Sequence, residues 1–140
     1  MAKILVSACL LGCACRYDGN SRPDEKVLAL AEDNVLIPVC PEQLGGLPTP
    51  RCPSERQEGL RVLMKDGTDV SEHYRRGAET ALHIARLNRV DYAVLKADSP
   101  SCGKGRIYDG SFTGAKGPGN GITADLLLEN GIPVYSNEEL

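Results

Sequence analysis

The sequence predicts an α/β fold, with a mostly parallel sheet, helices on its faces, and long Gly- and Pro-rich loops at the carboxyl ends of the strands. Three observations carry this. Short apolar, β-branched runs recur at residues 3–8, 35–39, 92–96 and 132–135, and segments of helical periodicity alternate with them. The runs are nearly continuous rather than alternating, as strands buried on both faces are. The first three lead into segments containing many of the chain's 15 glycines and 9 prolines.

The elements follow in order. Ile4-Leu5-Val6 forms the heart of the first strand, and a polar segment containing glycine runs over residues 12–22. Pro23-Asp24-Glu25 opens a helix, since proline suits its first position and acids suit the positive end of the macrodipole. Val27, Leu28, Leu30 and Ala31 give that helix a buried face. Val35-Leu36-Ile37-Pro38-Val39 is the second strand, and Pro38, which cannot donate to a ladder, places it at an edge or at a strand end. Residues 41–60 read as one long loop. Arg61-Val62-Leu63-Met64 and Asp69-Val70 then flank Lys65-Asp66-Gly67-Thr68, a hairpin through an Asp-Gly turn.

Ser71-Glu72 begins the helix with the cleanest pattern. Tyr74, Ala78, Ala81, Leu82 and Ala85 share one side, while Arg75, Arg76, Glu79 and Arg86 lie mostly on the other. Tyr92-Ala93-Val94-Leu95-Lys96 is the third strand, followed by a second Gly-rich loop over residues 98–121. A Leu-rich helix over residues 122–130 closes at Gly131. Ile132-Pro133-Val134-Tyr135 is the last strand, leading into an acidic tail.

A chain of 140 residues is expected to form a single domain, residues 1–140. Sixteen Lys and Arg against nineteen Asp and Glu give a net charge of −3, which argues against a basic nucleic-acid clamp. Aromatic residues make up 4% with no Trp, so a base-stacking platform is poorly supplied. No apolar run reaches the length of a membrane span, and Met-Ala-Lys-Ile-Leu-Val lacks a signal-peptide layout. The expected location is cytoplasmic, with no membrane partner.

Six cysteines in such a chain read as metal ligands, cluster ligands or nucleophiles rather than as disulfides. Cys9 follows the first strand, Cys40 ends the second, and Cys102 lies in the loop after the third. Open α/β sheets bind ligands beyond the carboxyl ends of their strands, so these three can converge. A lone cysteine is often only a small buried hydrophobe, a reading that fits three at matching strand ends less well. Cys13, Cys15 and Cys52 fall inside loops, each expected to be partly exposed; Cys15 is a further candidate as fourth ligand or sulfur-handling thiol. The spacing Cys9-x3-Cys13-x-Cys15 matches neither a zinc ribbon nor a ferredoxin run.

Three convergent thiolates favour zinc or an iron–sulfur cluster over magnesium or calcium. A [4Fe-4S] cluster held by only three would leave one iron open to substrate. His73 and His83, ten apart on the long helix, read as surface or core imidazoles. Glu42, two residues past Cys40, is a candidate general acid or base, facing the same side as Cys40 in an extended stretch. Ser99 and Ser101 flank Pro100 just before Cys102, and Arg51 and Lys104 are candidates to hold a phosphate or other anion. Arg16-Tyr17-Asp18 reads as a solvated loop, and residues 114–121 lack Walker or Rossmann spacing.

Taken together, Ser7-Ala8-Cys9-Leu10-Leu11-Gly12, Arg16-Tyr17-Asp18-Gly19, Cys40-Pro41-Glu42 with Gly46-Leu47-Pro48-Thr49-Pro50-Arg51, and Ser99-Pro100-Ser101-Cys102-Gly103 resemble the domain of unknown function 523 family. That family includes the thiouracil desulfurases, and the resemblance covers essentially the whole chain in the same order. It implies a compact, Rossmann-like three-layer domain with an oxygen-sensitive [4Fe-4S] cluster on three cysteines. The open iron would take the sulfur of a thiocarbonyl substrate, aided by a glutamate and a serine. Carried over, the cluster positions are Cys9, Cys40 and Cys102, and the acid–base pair is Glu42 and Ser99. For the middle ligand the family position is either Cys40 or a few residues on, where this chain has Gly45; in that case Cys40, Cys15 or Cys52 takes the role. The expected substrate is a thiolated pyrimidine base, nucleoside or nucleotide. The competing expectation is a zinc- or cluster-binding module that handles metal or sulfur without catalysis.

Overall fold

In the computed structural model, which describes residues 1–140, the chain runs β1 (Lys3–Ser7), α1 (Glu25–Ala29), β2 (Val35–Val39), α2 (Pro41–Leu44), β3 (Ser54–Arg56), β4 (Val62–Met64), α3 (Ser71–Asn88), β5 (Tyr92–Leu95), β6 (Arg106–Tyr108), β7 (Lys116–Pro118), α4 (Ile122–Glu129) and β8 (Val134–Ser136). The apolar runs pair into a four-stranded, wholly parallel sheet in the order β2-β1-β5-β8. Ile4, Leu5, Val6, Ala93, Val94 and Leu95 are completely buried, because both faces of the two central strands are covered. Pro38 sits opposite Val6 on the edge strand β2, where its missing N–H leaves no central ladder broken.

Successive side chains of β1 point to opposite faces, and each face has its own core. Leu5, with Ala93 and Leu95, packs against Leu82 and Ala85 of α3 and Ala124 and Leu127 of α4. Ile4 and Val6, with Val94, pack against Val27 of α1 and against Cys9, Leu10 and Cys15. A third cluster joins Val62 and Val70 to Tyr74 and Ala78 of α3. No helix is long and apolar enough to cross a membrane.

Several local expectations are corrected. Asp24, not Pro23, begins the first helix: its carboxylate accepts from the Lys26 and Val27 N–H groups, so Pro23 lies outside. That helix buries only Val27, while Leu28 and Ala31 are exposed, and it tightens into a 3₁₀ turn over Leu30–Glu32. Residues 41–60 hold α2 and β3 rather than one loop. The Asp66-Gly67 turn forms, but the main partner of β4 is β3; residues 69–70 contribute one bridge, Leu63 to Asp69. Residues 98–121 contain the antiparallel pair β6–β7.

The four residues of α2 cannot hold a helix alone, and docking on α3 stabilises them. The approach is close enough to exclude side chains. A Cβ on Gly45 would lie 2.0 Å from the His73 carbonyl oxygen, and one on Gly77 would lie 1.9 Å from the Pro41 oxygen. Gly77→Ala is therefore expected to destabilise the fold by about 3 kcal/mol, through overpacking against backbone that cannot yield. A denaturant melt checks this, and an unchanged midpoint would contradict it.

Candidate active site

The strand order fixes where the crevice opens. From β1 the chain passes to α1 on one face, whereas from the adjacent β5 it passes to α4 on the other. The loops leaving these two strands diverge, and the gap between them is where open α/β sheets bind ligands. A cavity of about 430 Å³ lies there, lined by Cys9, Cys15, Cys40 and Cys102 together with Glu42 and Ser99. Cys9 sits in the 3₁₀ turn Ala8–Leu11 after β1, Cys40 immediately precedes α2, and Cys102 follows β5.

Cys102 belongs to the core on the α3/α4 face and Cys9 and Cys15 to the core on the α1 face. The thiols thus reach the cavity from both sides of the sheet. Cys15 is buried rather than partly exposed, because its loop folds inward: its carbonyl accepts from Arg51 Nη2 (2.9 Å) and from the Cys40 thiol (3.7 Å). Cys13 is exposed and Cys52 half-buried, and neither lines the cavity. Gly45 does not line it either, since its α-carbon faces α3.

The four thiols act on one another. The neighbouring Cys15 thiol lowers the Cys9 thiol against the opposing effect of burial, and Lys96 helps. Contact with Cys40 lowers Cys15, but contact with Cys9 and burial prevail and push it up to about 11. Contact with Cys15 and then burial raise Cys40 far above its ordinary range. Burial pushes Cys102 up to about 12. Four cysteines and no histidine line the cavity, and soft sulfur of this kind fits an iron–sulfur group. No three His, Cys, Asp or Glu side chains stand close enough to grip a single ion, whereas a cluster accepts a wider spread.

Glu42 reaches the same cavity by a different geometry from the extended stretch expected. It lies in the first turn of α2, with Cys40 as the residue capping that helix. Its Oε1 accepts from Tyr74 Oη (2.7 Å) and Arg51 Nε (3.1 Å), while Oε2 has no protein partner. Ser99 is half-buried at the cavity, and its Oγ accepts from the backbone N–H groups of Ser101 (3.1 Å) and Cys102 (3.0 Å). That hydroxyl shapes the turn carrying Cys102. With its lone pairs engaged, its own proton remains to be donated. Ser101 turns away, fully buried against Thr123 Oγ1 at 2.8 Å.

The anion-holding role expected for Arg51 and Lys104 is corrected. Arg51 is consumed internally by Glu42, Pro48, Thr49 and Cys15, and Lys104 pairs with Glu139 at 3.1 Å, away from the cavity. Arg16 and Tyr17 form part of the cavity wall rather than a purely solvated loop, although Arg16 does pair with Asp18 at 3.5 Å. His83 is exposed and His73 half-buried, both remote from the cavity as their place on α3 suggests. Sequence reasoning missed Lys96, Tyr108 and Lys116, which also line the wall. Lys116 is brought there by Asp98, whose carboxylate accepts from Lys116 Nζ (2.9 Å) and Arg106 Nε (3.0 Å) and so pins the β6–β7 hairpin. Only the position of Lys96 at the end of an apolar strand could have signalled its place.

The chain is similar to the uncharacterized protein YbbK of Bacillus subtilis (strain 168), with 41% identity over 146 residues, covering 98% of this chain and 97% of that protein. It is also similar to the solved structure of a [4Fe-4S]-dependent thiouracil desulfidase, TudS. There the TM-score is 0.90 and the identity 45%, over 100% of this chain and 93% of that one. The 2-thiouracil desulfurase family model matches residues 4–139, and the chain belongs to that family.

Proposed function

We propose that this chain is an enzyme that removes the sulfur of a thiolated pyrimidine by hydrolysis, using a [4Fe-4S] cluster held by Cys9, Cys40 and Cys102. The thiocarbonyl and one water become a carbonyl and hydrogen sulfide, so atoms balance with no net electron transfer. The observation that carries this reading is the meeting of thiols from three strand ends in one cavity with an oriented carboxylate. Membership of the desulfurase family and the likeness to TudS support the substrate class and the cluster. We read the three-layer arrangement, with its cavity at the point where strand order reverses, as Rossmann-like and as a single domain.

When bound, such a cluster supplies one open iron as a Lewis acid for the thiocarbonyl sulfur. The protein supplies the rest. Glu42 Oε2, free of protein partners, takes a proton from the attacking water. The Ser99 hydroxyl, its oxygen held by two backbone N–H groups, donates toward the substrate. Ala8, Val39 and Ala97 add apolar surface to a cavity wall formed largely by polar and charged side chains.

Anaerobic turnover of thiouracil in heavy-oxygen water, with no electron donor present, tests this reading. The expected products are uracil carrying the heavy oxygen at the former thiocarbonyl and sulfide in equal amount. Unlabelled uracil, or turnover that begins only when a reductant is added, would overturn the hydrolytic reading.

A further inference from the structure

We infer that Tyr74 is a positioning residue for Glu42: its phenol and the Arg51 guanidinium hold Oε1 together, leaving Oε2 as the one oxygen that works in the cavity. This rests on the reading of Glu42 as the proton-transfer group. Tyr74 stands on the inner side of α3, 1% exposed, among Leu47, Val62, Val70 and Ala78. A hydroxyl buried so deeply needs a partner, and Glu42 Oε1 at 2.7 Å provides it. Burial, and then the charge of Glu42, push the phenol well above its ordinary range, so it stays protonated and can only donate to that carboxylate.

One hydrogen bond would leave the carboxylate free to swing about its contact. Arg51 Nε adds a second donor to the same oxygen at 3.1 Å, from a different part of the fold. Arg51 itself cannot drift: its Nη groups donate to Pro48 O, Thr49 Oγ1 and Cys15 O, and its side chain is 3% exposed. Two immobile donors, one from α3 and one from the loop after α2, fill the lone pairs of Oε1 and fix the plane of the carboxylate. The glycine contact between α2 and α3 then has a functional consequence. By letting the backbones meet at Gly45 and Gly77, it brings the Tyr74 hydroxyl within reach of Glu42.

The test is a double-mutant cycle on cluster-loaded protein with thiouracil as substrate. The four proteins are wild type, Tyr74→Phe, Glu42→Gln and the pair; kcat, KM, iron content and melting temperature are measured on each. The expected result for Tyr74→Phe is full iron content, little change in KM and a kcat lower by about tenfold, the worth of one hydrogen bond to a charged group. On the Glu42→Gln background the same change should cost nothing further in kcat. A lower melting temperature with unchanged kcat would overturn the inference, as would the same tenfold loss recurring in the pair. Full activity of Glu42→Gln alone would instead overturn the underlying role of Glu42, so the two failures are distinguishable. Tyr74→Met, which also lacks the donor, serves if the Phe variant does not fold.

Discussion

Cys9→Ser and Cys102→Ser proteins, purified without air, are expected to be colourless and inactive on thiouracil. Both side chains are buried at the cavity, one from each side of the central sheet. A serine oxygen is a harder and poorer ligand for iron than a thiolate. Changes to residues that merely support metal ligands already cost roughly 10–100-fold in affinity or activity, so loss of a ligand should exceed that. Cys13→Ser is the internal control, because Cys13 is exposed and off the cavity, and it should retain iron and turnover near wild type. Iron analysis and melting curves on the same preparations separate loss of the cluster from loss of the fold. Retention of iron in all three variants would remove the three-thiolate site.

Glu42→Gln should keep its iron and lose most of its turnover. A positioned proton-transfer group is worth roughly 10²–10⁴-fold, or about 3–5 kcal/mol. Some stability should go as well, since Arg51, almost fully buried, loses its countercharge. The decisive quantity is therefore activity per folded, iron-loaded molecule. If Glu42 served only to hold Arg51, that quantity would stay at the wild-type value while the melting temperature fell.

The centre of the sheet was legible because its two inner strands are buried on both faces, so that Ile4-Leu5-Val6 and Ala93-Val94-Leu95 read as unbroken apolar runs. The long helix α3 declared itself through Tyr74, Ala78, Ala81, Leu82 and Ala85 on one face. What escaped are elements too short and too polar to carry a period. Ser54-Glu55-Arg56 and Lys116-Gly117-Pro118 are strands only because a partner strand pairs with them. The four residues of α2 are helical because α3 supports them.

The site divides in the same way. Cys9, Cys40 and Cys102 follow the ends of recognisable strands, where topology makes convergence a general expectation, and they line one cavity with Glu42 and Ser99, the pair that the family resemblance singled out. The contacts that orient Glu42 were not, because Arg51 stands nine residues away and Tyr74 thirty-two, with nothing local linking them. Tyr74 fitted the helix pattern as one more core residue, and Arg51 in a polar loop looked like a free cation. The local sequence around Cys15 shows only a loop, and its inward fold involves the distant Arg51, which donates to the Cys15 carbonyl.

The most direct measurement is the iron, acid-labile sulfide and thiouracil turnover of wild-type protein purified entirely without air. The account predicts a brown protein with iron and sulfide in equal amounts, converting thiouracil to uracil. A colourless protein that holds zinc, or one fully loaded with iron and sulfide that leaves thiouracil untouched, would contradict it.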